Sequence, residues 1–134
     1  METFEKNYLG IDYGSSKIGV ALAHAETRLA LAYMTLKNDE NVLAELGRIL
    51  VDEEIGTVVI GRPEHDKREK DEYESETFGK LLATHFPIEV VYHNEMFTTK
   101  MAQSAMHAQG EKKVSTHDDA ESARILLQSF LDKK

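Results

Sequence analysis

The chain of 134 residues, 41% of them hydrophobic, has the length of one domain spanning 1–134 and enough apolar material for a core, which excludes wholesale disorder. It has no cysteine, which excludes disulfides, zinc–thiolate centres and thiol nucleophiles, and no apolar run near the roughly 18 residues of a membrane span. A net charge of −8 opposes general attraction to nucleic acid and excludes a passive coating protein, but not an enzyme whose acidic site is offset by divalent ions.

The first residues, Met1-Glu2-Thr3-Phe4-Glu5-Lys6, carry no apolar signal region, so a soluble, cytoplasmic protein without membrane association is expected. The first predicted strand covers 7–13. Alternation puts Leu9, Ile11 and Tyr13 on one face and Gly10, Asp12 and Gly14 on the other. Asp12 thus stands between two residues without side chains. Glycine weakens a strand and often marks a close approach, so the pair reads as clearance for a metal ion and a phosphate. An Asp that merely starts a hairpin turn is the plainer alternative.

A second strand is expected over 17–24 and a third over about 29–36, the short first link arguing for an antiparallel hairpin. Asn38-Asp39 offers a helix cap. Val42, Leu43, Leu46, Ile49 and Leu50 recur at helical spacing, with Gly56 as the stop. Thr57-Val58-Val59-Ile60-Gly61 reads as a strand buried on both faces, in parallel pairing. Arg62-Pro63 ends it, and a densely charged loop over 64–76 leads into a helix carrying Phe78, Leu81, Leu82 and Phe86, stopped by Pro87.

Residues 88–95 form the fifth predicted strand. A modest helix starts at Thr98 or Thr99 and closes at Gly110, and a last helix runs over about 118–132. The order β-β-β-α-β-α-β-α-α predicts an α/β fold: a mixed five-stranded sheet, three antiparallel meander strands then β-α-β alternation, with helices on both faces.

Two further acids fall at informative places. On the last helix, advancing about 100° per residue from Asp119 puts Ala123 near 40°, Leu126 near −20°, Leu127 near 80° and Phe130 near 20°. Asp119 therefore shares the core-facing stripe, where an acid is costly unless something pairs with it, while Asp118 sits on the flank. Complementing the positive helix N-terminus, with Ser115 or Thr116 beginning the turn, would also account for an acid at this height. Glu95 closes the fifth strand, at the carboxyl edge where ligands of open α/β sheets gather. Asp12, Glu95 and Asp119 together would suit Mg²⁺ or Mn²⁺, and two such ions about 4 Å apart serve phosphodiester hydrolysis. Whether the three meet depends on the fold.

Four segments in order resemble one family. Leu9-Gly10-Ile11-Asp12-Tyr13-Gly14 with Lys17-Ile18-Gly19-Val20-Ala21 looks like the opening motif of the YqgF family, RNase H-like proteins named as Holliday junction resolvases or pre-16S rRNA nucleases. Val58-Val59-Ile60-Gly61-Arg62-Pro63 is similar to its strand ending in a Gly-x-Pro turn. Asn94-Glu95-Met96-Phe97-Thr98-Thr99 is similar to its Asp-Glu-Arg-Leu-Thr-Thr segment, and the stretch from Asp119 to Leu131 to its closing helix. The matches span roughly 7–132. Met96 stands where the family has Arg, Asn94 where it has Asp, and the loop after Pro63 is charged instead of Asn-Met-Asp-Gly-like.

The resemblance implies an RNase H-like fold, an acidic triad on Asp12, Glu95 and Asp119 as catalytic and metal-holding residues, and two ions of Mg²⁺ or Mn²⁺. It further implies a metal-dependent endonuclease acting on structured RNA, in 5′-end processing of pre-16S rRNA. Lys17, Lys100 and Arg124 become candidate contacts to the nucleic-acid backbone, within a wider basic set that includes Lys67, Arg68, Lys70, Lys112 and Lys113. His93 and His117, near the acids in sequence, are candidate proton shuttles. A resolvase cutting four-way DNA junctions is the second reading. It would need two symmetric cuts, and with no obvious dimer helix a monomer or weak dimer is expected. A third reading, the phosphate-binding hairpin of sugar kinases and actin-like ATPases, needs a second domain for which 134 residues leave no room. A catalytically weakened, RNA-binding or regulatory member, with Met96 and the acidic balance as its support, is the fourth.

Overall fold

The computed structural model describes residues 6–62, 74–94 and 119–133. Its elements are β1 (Asn7–Tyr13), β2 (Lys17–Ala23), β3 (Ala30–Lys37), α1 (Val42–Asp52), β4 (Ile55–Arg62), α2 (Glu74–His85), β5 (Glu89–Asn94) and α3 (Asp119–Asp132). Residues 64–73 of the charged loop expected over 64–76, and the helix expected between Thr98 and Gly110, lie outside the described residues; α2 already begins at Glu74, inside the span expected as loop.

The strands form one sheet in the order β3-β2-β1-β4-β5. β1, β2 and β3 pair antiparallel as a meander, whereas β4 joins β1 and β5 joins β4 in parallel. This is the predicted mixed α/β sheet. Its three parallel strands all end at one edge, with Tyr13, Arg62 and Asn94 as their last residues.

Alternation divides the core in two. Leu9, Ile11, Ile18, Val20, Val58 and Ile60 face α1 and α2, meeting Leu46, Ile49, Phe78 and Leu82. The opposite face carries Tyr8, Ala21, Ala23 and Val59 beneath Ala123, Leu127 and Leu131 of α3. Small residues dominate that second face, so α3 lies close on the strands. No helix among the described residues is long and apolar enough to cross a membrane.

Two predicted helix boundaries need correction. Asn38 does not cap α1: its side-chain amide donates to the carbonyl of Gly14 at 2.8 Å, while Asp39 Oδ1 accepts from the amide of Asn41 at 2.9 Å to shape the entry turn. Gly56 is not the stop either, because it lies inside β4. α1 ends where Glu54 turns into the left-handed region at φ 53°, its amide donating to the carbonyl of Val51 at 3.2 Å. The chain reverses there on a residue with a Cβ, and so hides the turn from a reading that expects glycine.

Candidate active site

Asp12 is the penultimate residue of β1, half-buried, on the sheet face covered by α3. Its cross-strand partner is Gly19. Antiparallel partners sit about 4.5–5.5 Å apart at Cα and share a face, so Gly19 leaves an open place beside the carboxylate. The carbonyl oxygen of Asp119 fills that place. A Cβ built on Gly19 would collide with it and would stand 2.9 Å from the amide nitrogen of Ala120. Asp119 itself, the first residue of α3, is half-buried. The backbones carrying two of the three predicted acids therefore meet at Gly19, at the carboxyl edge of the parallel strands.

One turn further along α3 the same device recurs. A Cβ on Gly10 would lie 2.8 Å from Cβ of Leu127 and 3.0 Å from the carbonyl oxygen of Ala123. A Cβ on Gly14 would lie 2.6 Å from the carbonyl oxygen of Lys17, across its own hairpin. This overturns the reading of the glycines beside Asp12 as ligand clearance: they admit the last helix and the turn. The effect on the site is indirect, because the close approach brings the start of α3 to the level of Asp12. The positive end of the helix also faces this edge, and favours anionic groups there.

Glu95 follows directly on Asn94, the last residue of β5, but lies outside the described residues, as do Met96, Lys100 and His117. Among the described residues no three His, Asp or Glu side chains cluster as metal ligands. Asp12 and Asp119, whose backbones meet at Gly19, carry carboxylate oxygens, the donors that hard cations such as Mg²⁺ and Mn²⁺ take, so the donor chemistry fits.

His93 pairs with Gly61 across β5 and β4 and shares the α3 face. Its Nε2 lies 3.0 Å from the hydroxyl of Ser129, and its ring meets Phe130 edge-on at 5.9 Å. Burial lowers its pKa, helped by the positive charge of Lys133. The shift favours the neutral form of the ring, and its contacts tie β5 to α3. Lys17 opens β2 and is exposed. Arg124, on α3, grips Glu121 through two hydrogen bonds, Nε to Oε1 at 2.9 Å and an Nη to Oε2 at 2.5 Å. That pairing raises the guanidinium pKa against the smaller opposing effect of burial.

Gly19 is the functional residue that sequence reading passes over as an ordinary strand position. Its signal is the alternation Gly19-x-Ala21-x-Ala23, a column of small residues facing the column that holds Gly10 and Asp12.

The family model described as "RuvX: Holliday junction resolvase" matches residues 6–133. A Burkholderia multivorans protein named "Putative pre-16S rRNA nuclease" is 30% identical over 131 residues, covering 93% of this chain and 88% of its own length. A Sulfurihydrogenibium protein of the same name is 31% identical over 129 residues, covering 93% and 89%. Among solved structures, Thermus thermophilus RuvC in complex with a Holliday junction superposes with a TM-score of 0.62 at 13% identity, over 96% of this chain and 95% of that one. The fowlpox virus resolvase with Holliday junction DNA gives 0.56 at 12%, over 95% and 97%. At such identities the likeness is one of fold, here that of the RuvC-like, RNase H-fold resolvases. With its family model matched from residue 6 to residue 133 and relatives near 30% identity over most of its length, the chain belongs to the RuvX (YqgF) family.

Proposed function

We propose that this protein is a divalent-metal-dependent endonuclease that hydrolyses phosphodiester bonds in structured RNA, in the cytoplasm, during 5′-end processing of pre-16S rRNA. The observation that carries the reading is the meeting of Asp12 and Asp119 backbones at Gly19, on the edge where the parallel strands end. Asp12, Glu95 and Asp119 would hold Mg²⁺ or Mn²⁺. Such ions supply charge neutralisation and water activation at the scissile phosphate. The protein's part is to hold the acids in place: β1 fixes Asp12, and the close-packed α3 fixes Asp119. Lys17 and Arg124 bind the sugar–phosphate backbone, Arg124 by exchanging its hold on Glu121 for a phosphate. Lys100 is a third such contact.

A second reading, resolution of four-way DNA junctions, is favoured by the fold shared with the two junction-bound resolvases. The deciding experiment is cleavage of a pre-16S rRNA fragment and of a four-way DNA junction, with Mg²⁺ or Mn²⁺, by the wild type, Asp12→Asn and Glu95→Gln. Cutting of RNA that both variants lose supports the proposal. Cutting confined to the junction transfers it to the second reading, and cutting that survives Asp12→Asn removes the metal site. Equal inactivity of all three leaves a binding protein.

A further inference from the structure

Lys17 and Lys37 are direct cross-strand partners, the first residue of β2 against the last of β3. Their Cα atoms are therefore about 4.5–5.5 Å apart, and both side chains are exposed. Like charges placed directly opposite in a sheet repel. This arrangement occurs in a chain with 24 acidic residues, any of which could have been set against it. Yet among the described residues neither ammonium has a carboxylate partner.

The position of the pair gives the repulsion a purpose. Lys17 and Gly19 lie on the same face of β2, and Gly19 is opposite Asp12, so both lysines share the sheet face that carries Asp12 and α3. Lys17 is two residues along β2 from Gly19, so its Cα is about 7 Å from the residue at which the backbones of Asp12 and Asp119 meet. The pair is also braced. Asn38, next to Lys37, donates its side-chain amide to the carbonyl of Gly14 at 2.8 Å and its backbone amide to the carbonyl of Ser16 at 2.9 Å. These bonds clamp the β1–β2 turn to the end of β3 and hold the two lysines side by side.

We infer that Lys17 and Lys37 together form a phosphate seat that grips the substrate backbone next to the acidic site. The ligand is a phosphodiester anion of the nucleic-acid strand running from Asp12 across β2 toward β3. The inference rests on the nuclease reading for its substrate, but its own content is the paired seat and the role of Lys37.

The test is equilibrium binding of a fluorescent RNA hairpin and a fluorescent four-way DNA junction, in an Asp12→Asn background that prevents cutting, between 50 and 200 mM KCl. Each lost phosphate contact lowers the slope of log affinity against log salt by about 0.7–0.9. Lys37→Gln is expected to lower the slope by that amount and to weaken binding severalfold, and Lys37→Arg to restore both. Lys6→Gln, the same charge change at the far end of β1, is expected to leave the slope unchanged. The thermal midpoint of Lys37→Gln is expected to hold or rise, since repulsion is relieved. An unchanged slope in Lys37→Gln, or an equal loss in Lys6→Gln, overturns the seat. Wild-type protein that binds with the predicted slopes but cuts neither substrate keeps the seat and removes the nuclease reading. Wild-type protein that cuts, with Lys37→Gln binding unchanged, does the reverse.

Discussion

Gly19 is bare where the carbonyl of Asp119 rests against β2, so the strand opposite Asp12 and the first residue of α3 touch backbone to backbone. This contact and the one at Gly10 set the height of α3 on the sheet, and with it the separation of the Asp12 and Asp119 backbones.

Gly19→Ala is accordingly expected to be damaging. The added methyl overlaps the Asp119 carbonyl, which is backbone and cannot rotate away, so α3 must shift outward. Overpacking of this kind costs about 1–3 kcal/mol. A lower thermal midpoint together with loss of cleavage is the expected outcome. Wild-type activity in Gly19→Ala would show that the acids need no such approach.

Metal binding can be read without activity. Mg²⁺ bound only by the folded protein raises its stability by mass action, about 2.7 kcal/mol at a hundredfold excess over Kd. The wild-type melting midpoint should climb with added Mg²⁺, and Asp12→Asn and Asp119→Asn should each abolish most of the climb while folding normally in its absence. A full shift in either variant would take that acid out of the ligand set.

Arg124 is engaged by Glu121 within its own helix. Such i,i+3 pairs stabilise by only about 0.2–0.5 kcal/mol, so breaking this one leaves the fold intact. Glu121→Gln frees the guanidinium and removes a negative charge, and tighter RNA binding is expected. Arg124→Gln should bind more weakly than wild type. Equal affinities in both variants would place Arg124 outside the nucleic-acid surface.

His93 gives a pH signature. Burial, and then Lys133, lower its pKa below the ordinary 6.5, so the unfolded chain binds the proton more readily than the folded one. Its stabilising contribution is complete above pH 6.5 and declines as the pH falls from there toward the folded value. His93→Gln keeps a hydrogen-bonding group near Ser129 but cannot titrate. The fall in melting midpoint between pH 7.5 and 5.5 should therefore be smaller in the variant, and an identical fall would assign the acid sensitivity to other groups.

Much of this was legible before any coordinates. Period-two alternation located β1 at Asn7–Tyr13 and the start of β2 at Lys17, because both strands are covered on two faces and tolerate no slip. The apolar stripe of the last helix was legible too, because a helix facing a sheet must put its apolar side inward: Ala123, Leu126 and Leu127 are buried, and the half-buried Asp119 begins that helix. What stayed hidden depends on register. That Gly19 sits opposite Asp12 and Lys17 opposite Lys37 is a property of pairing between strands, which local pattern does not encode. The end of α1 was missed for another reason: Glu54 adopts a conformation that composition assigns to glycine, and Gly56 nearby drew the boundary two residues too far.

The placement of Asp12 on the first strand and Asp119 on the last helix also orders events in time. A ribosome delivers about 5–20 residues per second, and β1 to β5 are all made before α3 leaves the exit tunnel. Until then one side of the sheet, with Ala21, Ala23 and Val59, is uncovered. Docking of α3 closes the core and supplies Asp119 in the same step. If Asp119 serves the site as proposed, a chain cut short before α3 should bind no metal there and should not cleave.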